Sequence, residues 1–481
     1  MFSLLSSLVD LGNTILWSYV LIVLLIGAGL FFTIKTNFVQ FRFIREMISL
    51  LTEGNKNEGE GVSSFQAFCI STASRVGTGN LAGVALAVAA GGPGAVFWMW
   101  MIALLGSASA FVESTLAQVY KEKTEEGGYR GGPSYYMEKA LGNRKLGIVF
   151  SILITLCFGL IFNSVQSNTI SLAFEGAFGL NRTIIGLVLT AFTALIIFGG
   201  VKRIAKFAES VVPVMAIAYV LVVAFVLIKN ITMVPSIFNL IVGSAFGMKQ
   251  FAGGALGAAL MQGIKRGLFS NEAGMGSAPN AAATAEVSHP VKQGLIQTLG
   301  VFTDTIIICS STAFLILISG MYTQEGLGGI QLTQSALVSQ VGNWGAVFIA
   351  VCILLFAFSS IIGNYYYGEA NIEFMADSKG LLLAYRLAVL AMVMFGSQAA
   401  ISIVWNMADL FMGLMALINI YAIIKLGPIA KVVLDDYIMQ KKEGKDPVFN
   451  AVKVGILEGT ECWGGRKVSP ETKKERKAEL V

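Results

Sequence analysis

The sequence predicts an all-α integral membrane protein with eleven transmembrane helices. Three observations predict it. Apolar residues make up 55% of the 481 residues and charged residues only 13%, about half the charged share of a soluble domain, which is about 25%. Mean hydropathy is +0.72, and apolar stretches recur from near residue 14 to near residue 426, most of them close to the roughly 17–25 residues that cross a bilayer. Lys and Arg then fall overwhelmingly on one side of the eleven-span count, as expected of cytoplasmic loops.

In chain order the spans lie near 14–34, 62–90, 94–119, 147–173, 183–200, 208–228, 250–285, 293–319, 343–364, 382–397 and 403–426. Residues 1–13 contain no Lys or Arg, so the first span lacks the basic region of a cleavable signal and is retained. The basic imbalance places the N-terminus outside and the C-terminus inside. Between the first two spans, Phe38, Phe41, Ile44, Ile48 and Leu51 recur at helical spacing with Arg42 and Arg45 among them, which reads as a helix lying on the inner membrane surface. Residues 428–481 mix Lys and Glu with few apolar residues and read as a solvated, partly disordered cytoplasmic tail.

The composition excludes several functions. A net charge of +5 is too small to suggest nucleic acid. His289 is the single histidine, and the five cysteines have no metal-ligand spacing. No nucleophile signature surrounds His289, so an enzyme is not expected. No cofactor, disulfide or processing is indicated.

The second and seventh spans are long, Gly-rich and charged in the middle. One contains Arg75-Val76-Gly77-Thr78-Gly79-Asn80, the other Glu272-Ala273-Gly274-Met275-Gly276-Ser277. Both read charge-x-Gly-x-Gly-polar, and each opens a block of five spans with opposite direction through the membrane. Each glycine weakens a helix by about 1 kcal/mol relative to alanine. Close helix packing would explain one such pair. Two at matching positions in inverted halves point instead to broken helices that line a secondary transporter's site. Unwinding frees backbone N–H and C=O groups that must line a cavity or bind something. The N–H groups suit a carboxylate and the carbonyls suit a small cation. An α-amino acid with Na⁺ matches that set.

Four runs then resemble the alanine/glycine:sodium symporter family: Gly77 to Asn80, Gly91 to Trp100 running on to Gly106, Gly131 to Lys139, and Asn271 to Asn280. The resemblance covers roughly residues 10–430, and each long run is improbable by chance. It implies a ten-helix inverted-repeat core of the leucine-transporter type preceded by one extra N-terminal helix. The divisions are 1–61 (extra helix and surface helix), 62–228 (first repeat), 229–427 (second repeat) and 428–481 (tail). It also implies Na⁺-driven import of alanine or glycine, or glutamine in some members.

The resemblance carries residues with it. The Gly79 N–H would hold the substrate carboxylate, with Gly77 and Thr78 beside it in the substrate site. The carbonyls of Ala73, Val76 and Phe356 and the hydroxyls of Ser359 and Ser360 would hold Na⁺; Ser pairs in spans otherwise bond their own backbone. Arg75 stands where leucine transporters have a small residue and would repel a second sodium, which leaves Asn80 for the substrate. Gln166 and Asn163, in a run of polar residues in the fourth span, are further substrate contacts. In the seventh span, Phe269 could cap the pocket, Asn271 could accept from the amine and Met275 could limit substrate size. Arg75 and Glu272 are assigned to gating or coupling, on the permeation route or paired within the transport body. Glu113 and Asp304 are structural hydrogen-bonding groups or, in a rival reading, the proton carriers of a proton-coupled symporter of the same fold. A channel would need a selectivity ring, and a membrane-embedded hydrolase an activated nucleophile; neither is visible. A monomer in the cell membrane is expected, with lipid, Na⁺ and amino acid as its partners.

Overall fold

The computed structural model describes residues 2–52, 62–124, 127–198, 200–247, 253–376 and 378–467. Among these, eight helices are long and apolar enough to cross a membrane. They are α1 (Ser7–Lys35), α5 (Gly94–Val119), α7 (Arg144–Phe178), the Glu209–Lys229 part of α9 (Gly200–Lys229), α13 (Pro290–Ser319), α15 (Trp344–Met375), α16 (Lys379–Gln398) and α17 (Ile401–Lys442). The chain is therefore a multi-pass membrane protein. The three remaining expected spans differ for physical reasons. The second is two helices, α3 (Ser64–Arg75) and α4 (Gly79–Gly91), on either side of a break. The seventh is likewise α11 (Gly253–Asn271) and α12 (Ala278–Thr284). The fifth, α8 (Arg182–Ile197), is a single helix of 16 residues.

Smaller elements fill the connections. α2 (Ile44–Thr52) leaves Ile44 and Ile48 exposed and buries Met47 and Leu50, which fits a helix lying along the body. β1 (Glu122–Lys123) and β2 (Tyr129–Arg130) pair antiparallel, and α6 (Pro133–Lys139) follows. α10 (Val234–Ala245) and α14 (Gly329–Val341) were not singled out in the sequence.

Polar residues at the helix starts are caps. Ser63 and Gln66 form a reciprocal capping box on α3, with both bonds at 3.1 Å. Asn143, Asn181 and Ser378 cap α7, α8 and α16. His289 caps α13: its Nδ1 accepts the Val291 N–H at 3.2 Å, and its Nε2 lies 3.1 Å from Asp436. Nδ1 must accept, so Nε2 carries the hydrogen. Burial lowers the His289 pKa, which favours this neutral tautomer.

The interior is organised around α15 and α5. α15 packs on α3, α7, α9 and α14, while α5 packs on α1, α11, α12 and α13. Residues Ser359 to Ala370 of α15 are buried all round, as expected of a helix surrounded by protein. Lys265 and Arg266 lie inside α11, so they belong to no loop and leave the count of loop charges.

The tail departs from expectation. α17 runs sixteen residues beyond its expected end, to Lys442. The chain then folds back as an ordered strap. Phe449 N–H donates to the Ser288 carbonyl at 2.9 Å, and Asp446 pairs with Lys292 at 2.8 Å. Glu461 pairs with Lys139 at 3.1 Å, and the Trp463 indole N–H donates to the Gln118 carbonyl at 2.8 Å. Phe449 stacks edge-on with both His289 and Trp463. Few apolar residues suffice because the strap uses its aromatics as anchors. Residues 468–481 of the expected disordered end lie outside the described residues.

Candidate functional site

The first break starts where Val76 turns extended, at φ −80° and ψ 90°. Its amides have specific partners. Gly77 N–H donates to Asn80 Oδ1 at 2.9 Å, and Thr78 N–H donates to Gln166 Oε1 at 2.9 Å. Glycine is required at 77 by close approach. A Cβ there would stand 2.2 Å from Ser360 Oγ and 2.9 Å from Gln166 Oε1. At Gly79 a Cβ would lie 3.0 Å from the Phe269 ring. The first break therefore meets helices α7, α11 and α15 within contact distance.

The second break is held differently. Glu272, Gly274 and Gly276 all have positive φ, at 58°, 84° and 87°. Glycine adopts this region freely; Glu272 does so at a cost. The Gly274 and Gly276 N–H groups donate to the two oxygens of Glu113 at 3.1 Å each, and Asn419 Nδ2 donates to the same carboxylate at 2.7 Å. Tyr136 fixes Asn419 by donating to its Oδ1. Glu113 is thus the partner of two freed amides. Unwound backbone within a membrane needs such a partner for every polar group it frees.

The expected Na⁺ ligands come together in part. Ser359 Oγ donates to the Phe356 carbonyl at 2.8 Å. Ser360 Oγ lies 3.0 Å from the Phe356 carbonyl and 3.4 Å from the Val76 carbonyl. Two hydroxyls and two carbonyls from α15 and the end of α3 so converge, all of them hard oxygen donors that suit Na⁺. Ala73 is buried one turn earlier on α3.

The expected substrate residues divide. Gln166 reaches the first break. Phe269 stacks between Phe162 and Trp405, each with ring centroids 4.6 Å away, and covers Gly79. Met275 is wholly buried beside Glu113's amide partners. Asn163 bonds its own helix through the Gly159 carbonyl at 2.9 Å, with Oδ1 unpartnered. Asn80 Nδ2 donates to Asp304 Oδ1 at 2.6 Å. Asn271 accepts from Ala273 N–H at 3.0 Å and donates to Thr305 at 3.2 Å. Asn80 and Asn271 thus hold the backbone of their own breaks, and each turns its amine toward the Asp304 network.

Arg75 and Glu272 are both buried but form no ion pair with each other. Arg75 donates to the Gln297 carbonyl at 3.2 Å, and its Nε and Nη2 are unpartnered. Gln293 and Gln297 beside it on α13 also leave all their amide atoms unpartnered. Glu272 accepts from Ser74 at 2.8 Å and Ser277 at 2.6 Å.

One group was missed in the sequence. Asp409 of α17 takes Arg266 at 2.7 Å and Lys265 at 3.3 Å. The Arg266 guanidinium stacks over Trp405 at 4.5 Å, directly behind Phe269. This ion triad and the Phe162–Phe269–Trp405 stack close one side of the first break. The available signal was an Asp inside an apolar span, together with a Lys-Arg pair inside a Gly-rich one.

Comparison with known proteins adds the chemistry. Residues 2–451 match the sodium:alanine symporter family. A probable sodium/glutamine symporter of Bacillus subtilis is 58% identical over 96% of this chain and 96% of its own. An amino-acid carrier protein of the same organism is 57% identical over 97% and 99%. A sodium/alanine symporter of Methanococcus maripaludis is 38% identical over 87% and 94%.

Proposed function

The chain belongs to the sodium:alanine symporter family, and from that premise we propose that it imports a small neutral amino acid together with Na⁺ by alternating access. That it is a sodium-coupled amino acid transporter and not an enzyme follows from membership. The substrate we assign is alanine or glycine, with glutamine as a further substrate, since one relative is named for glutamine and another for alanine. The protein would act as a monomer in the cell membrane, crossing it eleven times, with the N-terminus outside and the C-terminus cytoplasmic. Its core would be two inverted five-helix repeats, 62–228 and 229–427.

One observation carries the sodium assignment: the meeting of Ser360 Oγ with the Val76 and Phe356 carbonyls. Ser359 and the Ala73 carbonyl would complete the shell. The substrate carboxylate would take the Thr78 N–H that Gln166 Oε1 now accepts, and Gly77, Gly79 and Asn80 would shape the same cradle. Gln166 would then turn its amine side to the carboxylate. Asn163 and Asn271 would contact the bound amino acid, while Phe269 and Met275 would bound its side chain. The positive charge of Na⁺ close to the carboxylate lowers the cost of burying both. Each ligand therefore raises the other's affinity. Opening past Phe269 requires the Asp409 triad to part, so that triad would be one gate; Arg75 and Glu272 would lie on the opposite route.

The test is uptake of radiolabelled alanine, glycine and glutamine into proteoliposomes under separate inward gradients of Na⁺, K⁺ and H⁺. Uptake that needs Na⁺ and ranks these three above leucine supports the reading. Uptake driven by H⁺ with no sodium present overturns it in favour of the proton-coupled alternative.

A further inference from the structure

A groove of about 450 Å³ opens to the outside of the helix bundle between α1 and α7, over α17. Both α1 and α7 pack on α17. Leu24 of α1 and Leu146 of α7 form its walls, and Leu417, Tyr421 and Ile424 of α17 form its floor. These last three recur at i, i+4 and i+7, so they share one face of α17. Tyr421 is 48% exposed and Ile424 38%. All three helices are long and apolar enough to cross a membrane, so what meets this face is lipid. The volume falls within the roughly 300–1,000 Å³ of small-molecule sites.

One end of the groove is positively charged. Lys425 lies on its surface, one turn beyond Tyr421. Lys35 stands on the same stripe of α1 as Leu24, eleven residues further along, which is three turns. Phe32 packs on Gly427, where a Cβ would stand 2.8 Å from its ring. Lys35 and Lys425 therefore lie within about two turns of each other along the helix axes. Lys145 directly precedes Leu146 at the start of α7. Three helices thus bring one lysine each to the same end. All three lysines are exposed, and none has a partner among the described residues. Their basic neighbours in the chain do: Arg144 pairs with Glu138 at 2.8 Å, and Lys431 pairs with Asp435. Those two carboxylates are already engaged.

A single lysine near the end of a span snorkels to the headgroups and needs no specific ligand. Three unpaired lysines at one end of an apolar groove ask for negative charge with hydrocarbon attached. The groove suits an acyl chain, and the lysines suit a phosphate. A phosphatidylcholine or phosphatidylethanolamine headgroup would bring its own cation beside them and gain little. A headgroup of net negative charge gains about fivefold in affinity per lysine.

We propose that the groove between α1, α7 and α17 binds one anionic phospholipid. Its chain lies against Leu417, Tyr421 and Ile424, and its phosphate meets Lys35, Lys145 and Lys425. In the orientation proposed above it is a lipid of the cytoplasmic leaflet. It fastens the extra N-terminal helix to the core. The inference does not depend on which ion or amino acid is carried.

The experiment uses full-length protein in mild detergent, mixed with phosphatidylglycerol and phosphatidylcholine of identical chains. Bound lipid is counted by native mass spectrometry. Wild type should hold one phosphatidylglycerol and prefer it by about tenfold or more. Lys425→Gln should weaken that binding about fivefold, and Lys35→Gln with Lys425→Gln about twenty-five-fold, with phosphatidylcholine unchanged. Lys379→Gln, at an exposed lysine that starts α16, should change nothing. Leu417→Trp fills the floor and should lower retention of both lipids; should it not fold, the exposed lysine variants decide alone. Equal retention of the two lipids by wild type, no loss in the double variant, or an equal loss in Lys379→Gln overturns the proposal.

Discussion

Ser360 has one hydroxyl hydrogen and two carbonyls within reach, Phe356 and Val76. Its lone pairs are what a sodium ion would use at the proposed site, so removing the oxygen would remove a proposed ligand and keep the helix. Ser360→Ala is expected to raise the Na⁺ concentration for half-maximal uptake by about tenfold or more, on the scale of one lost charge-assisted contact. Ser359→Ala should cost less, since Ser359 bonds only the Phe356 carbonyl. Gly77→Ala is expected to abolish uptake, because its methyl would stand 2.2 Å from Ser360 Oγ; protein should still be produced, and the loss is read by transport and Na⁺ binding. That Gly77, Val76 and Ser360 come together was foreshadowed in the sequence: Gly-x-Gly in a span and paired hydroxyls are chemically conspicuous. Asp409 was not, because its meaning comes from Lys265 and Arg266, about 140 positions away in the chain. Nor did the sequence show that Asn80 and Asn271 hold backbone and that Arg75 turns toward Gln297. Spacing gives a residue's neighbours on one helix, not the direction its side chain takes between helices.

At the scale of elements, the two breaks have different supports. The first is tied by side chains from elsewhere in the fold, above all Gln166 on the Thr78 amide. The second is tied by Glu113, which holds two of its amides. Glu113→Gln puts an amide N–H against backbone donors and should lower stability by about 1–3 kcal/mol, seen as a lower unfolding temperature in detergent, whereas Glu113→Asp should recover part of it. His289→Ala removes the cap of α13 and should cost about 1 kcal/mol, measured the same way. The eight long spans and both breaks were readable because hydropathy and glycine spacing are local. The strap was not readable: its stability comes from where Phe449 and Trp463 land, and composition alone describes a solvated end.

For the whole molecule, the strap gathers pieces from far apart. Lys121 lies beneath it, donating to the Ala285 carbonyl at 2.8 Å and facing the rings of Tyr129 and Trp463. Burial pushes its pKa down to about 7, against about 10.4 in an unfolded chain. Between those values the unfolded chain binds more protons, so this group's contribution to stability rises with pH; below about 7 it is flat. The difference in stability between wild type and Lys121→Met should follow that slope, and a difference that does not change between pH 7 and 9 would remove Lys121 from the account. Cutting the chain after Lys445 should lower the unfolding midpoint by ~5–10 °C, since Asp446, Phe449, Glu461 and Trp463 leave together. The strap also orders events during synthesis. Gln118 and Lys121 leave the ribosome hundreds of residues before Trp463 does, and Ser288 and Lys292 well before Phe449. Until then these groups wait at the membrane surface without their last partners. Completion of the fold is thus postponed until the strap has been made, and a nascent chain stalled before the strap is the form that membrane quality-control proteases would find open.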